Sequence, residues 1–196
     1  MGEIGKNMYV LEYADEIIVI DAGIMFPEED MPGVDFLIPN TKYLEEPEKR
    51  KNVRALIFTH GHADHIGAFP YVQDRLGNPD VYTAALTRGI MIKRHSEFPH
   101  LPKPRIHLVK NGDIEKVGNY FTLEFFHMNH SIPDDLAIFI STPVGNVFFS
   151  SDFKIDPTPI NEAPVGLEEF KTLGEKGVHV LLCDSTDSEK PGHSLS

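Results

Sequence analysis

His60-Gly61-His62-Ala63-Asp64-His65 follows directly on the apolar stretch Arg54–Thr59 and places three imidazoles and one carboxylate within six residues. The apolar stretch predicts a buried β-strand, so these polar side chains leave the end of a rigid element. The first two histidines flank a glycine and can share one ion, whereas Asp64 and His65 can reach a second ion nearby. Imidazole and carboxylate ligands suit zinc and leave room for water. The stretch therefore predicts a pair of zinc ions at a strand end.

Length and composition are those of a globular protein with one large domain. The chain has 196 residues, of which 41% are apolar and 24% are charged, and these values are ordinary for a folded domain. The net charge of −12 argues against broad, non-specific binding of nucleic acid, because phosphate attraction normally needs lysine and arginine. A nucleic-acid substrate is still compatible with this charge, since two divalent ions would make the pocket locally positive.

Membrane and disulfide signals are absent from the sequence. No apolar run approaches the roughly 20 residues that span a bilayer, and Met1–Lys6 contains no apolar signal core, which predicts a cytoplasmic protein without membrane contact. The single cysteine, Cys183, excludes an internal disulfide framework. It ends the apolar stretch Val178–Cys183, for which we predict a buried strand with the cysteine as a small core residue.

Short apolar and alternating segments predict more strands than helices. The predicted strands are Met8–Tyr13, Glu16–Ile20, Arg54–Thr59, Val81–Thr83, Arg105–Val109, Tyr120–His127, Leu136–Ser141, Asn146–Ser151 and Val178–Cys183. The predicted helices are Pro70–Leu76, Ala84–His95 and Leu167–Glu175. Phe26–Asn40 is predicted to be a long loop, and we expect the strands between Arg105 and Ser151 to form hairpins. Strands interrupted by helices are typical of stacked sheets with helices outside.

Later residues complete the predicted metal pair. His130 lies in a turn beyond a predicted strand and can deliver a third ligand across the pocket, with His127 as the rival candidate. Asp152 also follows a strand, and a carboxylate there can bridge two ions about 3.5–4 Å apart. We expect Asp21, at another strand end, to accept the free N–H of a ligand histidine and fix its tautomer. Plain turn or capping roles remain the alternatives for both aspartates.

These residues together resemble the metallo-β-lactamase superfamily, whose metal motif has the pattern His-x-His-x-Asp-His followed by a later histidine and a later aspartate. The flanking sequence is similar to the ribonuclease J family almost from end to end. The segments that carry this narrower resemblance are Gly2–Met8, Ile20–Pro27, Phe58–His62, His130–Asp134, Ser151–Asp156 and Asp184–Thr186.

The resemblance implies an α+β fold, namely a metallo-β-lactamase-like αββα sandwich of two mixed sheets with outer helices, here incomplete. It also implies hydrolysis of RNA phosphodiesters through a metal-bound hydroxide, with 5′-exonuclease and endonuclease activity, and a homo-oligomer in the full-length protein. Asp64 and Asp152 would be the catalytic carboxylates. The Zn2+ ligands that it implies are His60, His62 and His130 for the first ion, Asp64 and His65 for the second, and Asp152 between the two.

The chain also departs from the family pattern. The family has a further metal-binding histidine after an inserted β-CASP domain, and this sequence stops at Ser196, before such a domain. We therefore interpret 1–184 as the N-terminal portion of a metallo-β-lactamase domain and 185–196 as a linker toward the absent β-CASP domain. Ser150-Ser151 stands where Thr-Gly is usual. We expect a weak second metal site and little activity from this fragment alone.

Substrate contacts and competing functions complete the predictions. Ser131 could hydrogen-bond a phosphate oxygen, and Lys154 is a candidate phosphate contact with a solvated side chain as the alternative. A stand-alone hydrolase of thioesters or lactones and an inactive metal-binding fragment are the competing functions.

Overall fold

Two five-stranded β-sheets form the centre of the structure, a computed structural model that describes residues 5–160 and 162–192. The first sheet contains, in spatial order, β1 (Tyr9–Tyr13), β2 (Glu16–Ile20), β3 (Val53–Phe58), β4 (Asp80–Thr83) and β5 (Ile106–Leu108). The second contains β6 (Ile114–Val117), β7 (Phe121–Met128), β8 (Asp135–Thr142), β9 (Gly145–Phe149) and β10 (Val180–Leu182). Both sheets are mixed: β2 to β5 are parallel and β1 is antiparallel to β2, whereas β6 to β9 are antiparallel and β10 is parallel to β9.

Helices lie outside the two sheets. They are α1 (Lys42–Glu45), α2 (Pro47–Arg50), α3 (Ala63–Ile66), α4 (Phe69–Val72), α5 (Ala85–His95) and α6 (Leu167–Lys176). Buried residues of α1, α3, α4 and α5 pack on the outer face of the first sheet, and Leu173 of α6 packs on the outer face of the second. Across residues 5–160 and 162–192, none of the helices has the length and apolar character needed to cross a membrane.

The alternation of side chains along β2 shows how the layers form. Every residue of β2 is buried, because its two faces are covered by different layers. Ile18 packs between the sheets in a cluster that includes Phe125, whereas Val19 packs under the helices in a cluster that includes Phe69. Burying one such side chain contributes about 1.5–3 kcal/mol relative to leaving it exposed. The predicted α+β sandwich of two mixed sheets with outer helices is confirmed.

The pairing of two strands differs from the predicted series of hairpins. Arg105–Val109 was expected to pair within the hairpins, but β5 is parallel to β4, with Val81 opposite Ile106, and belongs to the first sheet. The first strand of the second sheet is instead β6, a segment that the sequence did not predict. Such short strands carry little periodicity, so their partner is decided by tertiary contacts rather than by local sequence.

The predicted helix Pro70–Leu76 is shorter than expected. Its regular part is α4, and residues 73–77 continue as turns. Gly77 closes the segment with φ +85°, its N–H donates to the Asp74 carbonyl, and the N–H of Asn78 donates to the Gln73 carbonyl. Both bonds together form a Schellman motif, which uses glycine in the left-handed region to satisfy the last carbonyls of a helical turn.

The prediction of a buried last strand around Cys183 is wrong. β10 is an edge strand of three residues, Leu181 is 59% exposed and Cys183 is exposed. These side chains line an open groove of about 320 Å³, because the described part of the chain places nothing over them. Beyond β10, residues 185–192 form turns without a strand or helix, and residues 193–196 of the predicted linker lie outside the described residues.

Strand ends from both sheets meet at one edge of the sandwich. In the first sheet, β2 and β3 are parallel and end side by side. In the second, β7 and β9 end where β8 begins, because both are antiparallel to it. The backbone N–H of Leu136 donates to the Thr59 carbonyl at 3.2 Å and joins the two sheets there. Polar residues at the strand ends are therefore brought to a common place.

Candidate metal centre

Three imidazoles converge at this edge. His60 and His62 follow β3, and His130 follows β7. His60 Nε2 lies 3.0 Å from His62 Nδ1, and His130 Nε2 lies 3.2 Å from the same atom. Ligand nitrogens bound about 2.0–2.1 Å from a tetrahedral zinc ion are separated by roughly 3.3–3.4 Å. The three ligand atoms, all within 4.8 Å of one another, therefore fit one ion of this kind.

Asp152 connects this triad to a second group of ligands. Its Oδ1 lies 3.4 Å from His65 Nε2, and its Oδ2 lies 3.6 Å from His130 Nε2. The two oxygens of one carboxylate thus face histidines of two different groups, which is the arrangement of a ligand that bridges two ions. The second group that could hold an ion comprises His60, His65 and Asp152.

Asp64 lies at the outer side of the second group. Its Oδ2 is 3.6 Å from His65 Nε2, although it is not among the clustered ligand atoms. The side-chain amide nitrogen of Asn7 lies 3.3 Å from this Asp64 oxygen and 3.1 Å from His65 Nε2. Sequence reasoning did not assign Asn7, because nothing local indicates that the chain start crosses the turn at Asp64. The backbone bond from Asn7 N–H to the Asp64 carbonyl, 3.0 Å, places it there.

Asp21 holds the far side of the His65 ring. Its Oδ2 accepts a hydrogen bond from His65 Nδ1 at 2.8 Å. The same carboxylate accepts the Thr59 backbone N–H at 2.9 Å and the Thr59 hydroxyl at 3.0 Å. With Nδ1 hydrogen-bonded to Asp21, Nε2 faces Asp64 and Asp152 and could bind an ion on releasing its own proton. The geometry is that of a carboxylate that fixes the tautomer of a ligand histidine.

Burial and mutual charges set the protonation of the cluster. Burial lowers the pKa of His60 to about 2, helped by the positive charge of His65, and burial also lowers the pKa of His130. Burial opposes the His65 cation as well, but Asp21 and Asp152 outweigh it and raise the pKa of His65 to about 11. Burial would raise the pKa of Asp152, yet the hydrogen bond and charge of His65 lower it to about 2. Neutral His60 and His130 and an ionised Asp152 are the forms that bind metal.

Strained backbone conformations also occur at the same edge. Asp21, Asp134 and Ser151 have φ values of +60°, +65° and +59°, a region where a side chain costs about 1–2 kcal/mol per residue. Residues hold such conformations when the surrounding structure determines them, and they cluster at functional sites. The strained residues support the interpretation of this edge as the functional site.

The remaining predicted residues lie either away from the imidazole triad or in a pocket next to it. His127 points away from the imidazole triad, with its Nε2 3.2 Å from the Ala163 carbonyl, so the geometry favours His130 as the ligand. Ser131 and Lys154 line a pocket of about 180 Å³ next to His130. The Lys154 ammonium lies 3.5 Å from an Asp156 carboxylate oxygen, and the Ser131 hydroxyl is exposed 3.5 Å from His130 Nε2.

Asp135 is a further residue at this edge that sequence reasoning missed. It begins β8 and is completely buried, and its Oδ2 lies 3.4 Å from His60 Nδ1. Burial raises its pKa well above the usual range, although the neighbouring Ser151 hydroxyl opposes this shift. The one signal in the sequence is a carboxylate at the head of an apolar strand, which alone does not say what it faces.

Comparison with known proteins gives the family of the chain. The family model of the metallo-β-lactamase superfamily matches residues 1–180. The chain belongs to the metallo-β-lactamase superfamily. The superfamily fold also relates it to a solved structure of a protein of unknown function from Enterococcus faecalis V583, with a TM-score of 0.62 at 18% identity, over 98% of this chain and 50% of that one. The divalent-metal binding typical of the superfamily agrees with the clustered histidines and aspartate.

Two sequence relatives of the chain are ribonucleases. Ribonuclease J of Thermus thermophilus is 42% identical over 201 aligned positions, which cover 100% of this chain and 35% of that protein. Ribonuclease J of Synechocystis is 40% identical over 190 positions, covering 97% of this chain and 29% of that protein. The chain thus spans about a third of the length of the curated relatives it matches.

Replacing Asp21 with asparagine should weaken metal binding without removing a ligand. Both Asp21 oxygens accept hydrogen bonds, one from the Thr59 N–H and the other from His65 Nδ1, and an amide keeps only one acceptor oxygen for these two donors. Substitutions of such supporting groups cost about 10–100-fold in metal affinity. Competition with a chelator measures the zinc dissociation constants of both proteins. An unchanged affinity would remove Asp21 from the metal centre.

Proposed function

We propose that this chain is the metal-binding part of a zinc-dependent ribonuclease that hydrolyses RNA phosphodiesters. The observation that carries the proposal is the placement of the Asp152 oxygens, one 3.4 Å from His65 Nε2 and the other 3.6 Å from His130 Nε2. A carboxylate in this position favours two ions, a number suited to displacement at phosphorus. The similarity to ribonuclease J along the whole chain supports RNA as the substrate.

The proposed ligands form two groups, one for each ion. His60, His62 and His130 would hold the first ion, and Asp64 and His65 would hold the second, with Asp152 shared. When bound, the ions supply Lewis acidity and lower the pKa of water to about 7. Asp64 and Asp152, the carboxylates assigned to catalysis, neutralise only part of the charge of two divalent ions. The site therefore keeps positive charge, which favours an anionic phosphodiester despite the net charge of −12.

The pocket beside His130 is the proposed place for the substrate phosphate. Ser131 and Lys154 line it together with Asn129, and its volume is about 180 Å³. The Ser131 hydroxyl can donate to a phosphate oxygen, and the Lys154 ammonium can turn from Asp156 toward the same charge. Both contacts would orient the phosphate next to the carboxylate that the two metal groups share.

The activity of the whole protein is a wider proposal. Because the chain spans about a third of its relatives, we propose 5′-exonuclease and endonuclease activity for the complete protein rather than for this chain by itself. A cytoplasmic location and a homo-oligomeric state belong to the same proposal, as does the division into a metallo-β-lactamase domain over 1–184 and a linker over 185–196.

Hydrolysis of a phosphodiester by the zinc-loaded chain tests the function. We expect slow, zinc-dependent release of nitrophenol from bis(4-nitrophenyl) phosphate and slow shortening of a 5′-monophosphorylated RNA, because the chain spans only about a third of its relatives. Both should be lost in His62→Ala and retained in His107→Ala, because His107 stacks on Tyr82 on β4 and β5, outside the triad. Gel electrophoresis and absorbance measure the two reactions.

Two outcomes would count against a nuclease. Turnover of a thioester or lactone with no turnover of either phosphodiester would identify a hydrolase of the competing class. A chain that binds zinc stoichiometrically and hydrolyses none of these compounds would be a metal-binding fragment without activity of its own.

A further inference from the structure

Asp135 is a buried carboxylate that the proposed reaction does not use. The residue is 0% exposed, and within residues 5–160 and 162–192 neither of its oxygens has a partner in hydrogen-bonding geometry. Leaving a buried acceptor unsatisfied costs about 1–3 kcal/mol, and more for a charged group. The stability of the fold alone does not account for this cost.

The nearest polar ring atom is Nδ1 of His60. Asp135 Oδ2 lies 3.4 Å from it, and the backbone bond between Leu136 N–H and the Thr59 carbonyl fixes this approach. Two hydroxyls lie near the same nitrogen, that of Thr59 at 3.1 Å and that of Ser151 at 3.3 Å. The Thr59 hydroxyl already donates its proton to Asp21.

The surroundings of Nδ1 favour a proton on that atom. If Nε2 of His60 binds an ion, the ring proton must be on Nδ1, and both hydroxyl oxygens and the Asp135 carboxylate can accept a hydrogen bond from it. The Asp135 carboxylate is the acceptor that gains most, because its buried oxygens have no other partner among the described residues. With the proton on Nδ1, the lone pair on Nε2 of His60 faces His62 Nδ1, 3.0 Å away, inside the triad.

We propose that Asp135 is a positioning residue that accepts the Nδ1–H of His60 and directs its Nε2 lone pair at the first metal ion. The inference rests on the proposed metal centre and adds a support for the first ion, as Asp21 supports His65. Ser151, which has a strained backbone at φ +59°, places its hydroxyl 3.3 Å from the same His60 Nδ1.

If Asp135 served only to stabilise the fold, its removal would lower the stability of the metal-free protein. A carboxylate that stabilises the fold needs hydrogen bonds that Asp135 lacks, so removing it should not weaken the metal-free protein. Removing a buried polar group that has no hydrogen-bond partner relieves the cost of leaving it unsatisfied, so the substitution should not weaken the fold through lost hydrogen bonds. Metal affinity and stability of the metal-free protein should therefore respond differently to the same substitution.

Zinc affinity measured on three variants of the full chain tests the inference. In Asp135→Ala the zinc dissociation constant should rise about tenfold, while the unfolding temperature of the metal-free protein stays equal or rises. Asp135→Asn keeps an oxygen that can accept the Nδ1–H and should recover most of the affinity. Glu16→Gln is the matched control, because Glu16 is a buried carboxylate at the start of β2 that binds Asn119, and its zinc affinity should be unchanged.

Several outcomes would overturn the inference. They are an unchanged affinity in Asp135→Ala, a loss in Asp135→Asn as large as that in Asp135→Ala, and a metal-free protein destabilised by the alanine variant in step with its loss of zinc. If the alanine variant does not fold, nitrogen-15 NMR of the zinc-loaded wild type decides the question. Protonated Nδ1 and coordinated Nε2 in His60 support the inference, and the reverse assignment overturns it.

The failure of the proposed function would look different. A wild type that binds zinc with the expected variant pattern but hydrolyses no phosphodiester would refute the nuclease and leave the role of Asp135 intact. A wild type that binds no zinc would refute the metal centre and the role of Asp135 together.

Discussion

Asp152→Ala is expected to reduce the zinc content of the chain and to lower phosphodiester hydrolysis by more than about 100-fold, beyond the effect of losing a supporting group. The physical reason is that one carboxylate faces both ligand groups, with oxygens 3.4 Å from His65 Nε2 and 3.6 Å from His130 Nε2. Its removal takes one ligand from each group at once and leaves the positive charges of the two ions unshielded from each other. Mass spectrometry of metals after gel filtration measures the stoichiometry.

A surface aspartate provides the control for this experiment. Asp113 accepts the Lys110 backbone N–H in the turn before β6, and Asp113→Ala should keep the zinc content and turnover of the wild type. An Asp152→Ala protein that retains two equivalents of zinc would show that the carboxylate does not bridge the groups.

Gly23→Ala is expected to destabilise the fold by about 3 kcal/mol or more, at the upper end of single substitutions. A methyl group at Gly23 would lie 1.4 Å from the Asp64 carbonyl oxygen and 2.0 Å from its carbon. Both are backbone atoms, and the neighbouring bonds from Ala22 N–H to the His65 carbonyl, 2.7 Å, and from Ile24 N–H to the Ala63 carbonyl, 3.0 Å, hold the two segments together. Relief therefore requires the turn that carries Asp64 to move.

The same substitution at Gly89 should have the opposite sign. Gly89 is exposed within α5, and a methyl group there meets no atom within 4 Å. Alanine in a helix interior is favoured over glycine by roughly 0.5–1 kcal/mol. Urea unfolding of the two variants measures both effects. Wild-type stability in Gly23→Ala would mean that the turn does not pack on the segment after β2 as described.

The parts of the site that sequence predicted are those encoded by local pattern. His60, His62, Asp64 and His65 fall within one turn after an apolar strand, so chain geometry alone keeps them close. Asp21 and Asp152 could be added because each ends an apolar strand, and strand ends meet at an edge of a sheet. The structure brings these residues to one place, although their binding of metal is still a proposal.

The parts that sequence did not predict depend on contacts between distant segments. Asp135 faces His60 only because β8 starts where β3 ends, across the two sheets, and no residue near either position encodes that meeting. Asn7 reaches the site by crossing the turn at Asp64. Cys183 was assigned to the core from an apolar stretch, but burial depends on what covers a strand, and β10 lies at the edge of its sheet.

The overall fold was easier to predict than the pairing of its strands. Apolar periodicity specifies that β2 and β7 are strands, and their two faces specify a layered structure. The partner of β5 follows from where the chain returns after α5, so a three-residue strand could be placed in either sheet until the tertiary structure was known.

Anomalous diffraction at the zinc edge from crystals of the chain grown with zinc would locate the proposed ions. We predict a strong peak among His60 Nε2, His62 Nδ1 and His130 Nε2, and a weaker peak about 3.5–4 Å away beside His65 and Asp152. The absence of any peak among the three imidazoles, with zinc bound elsewhere or nowhere, would contradict the assignment of this edge as a metal centre.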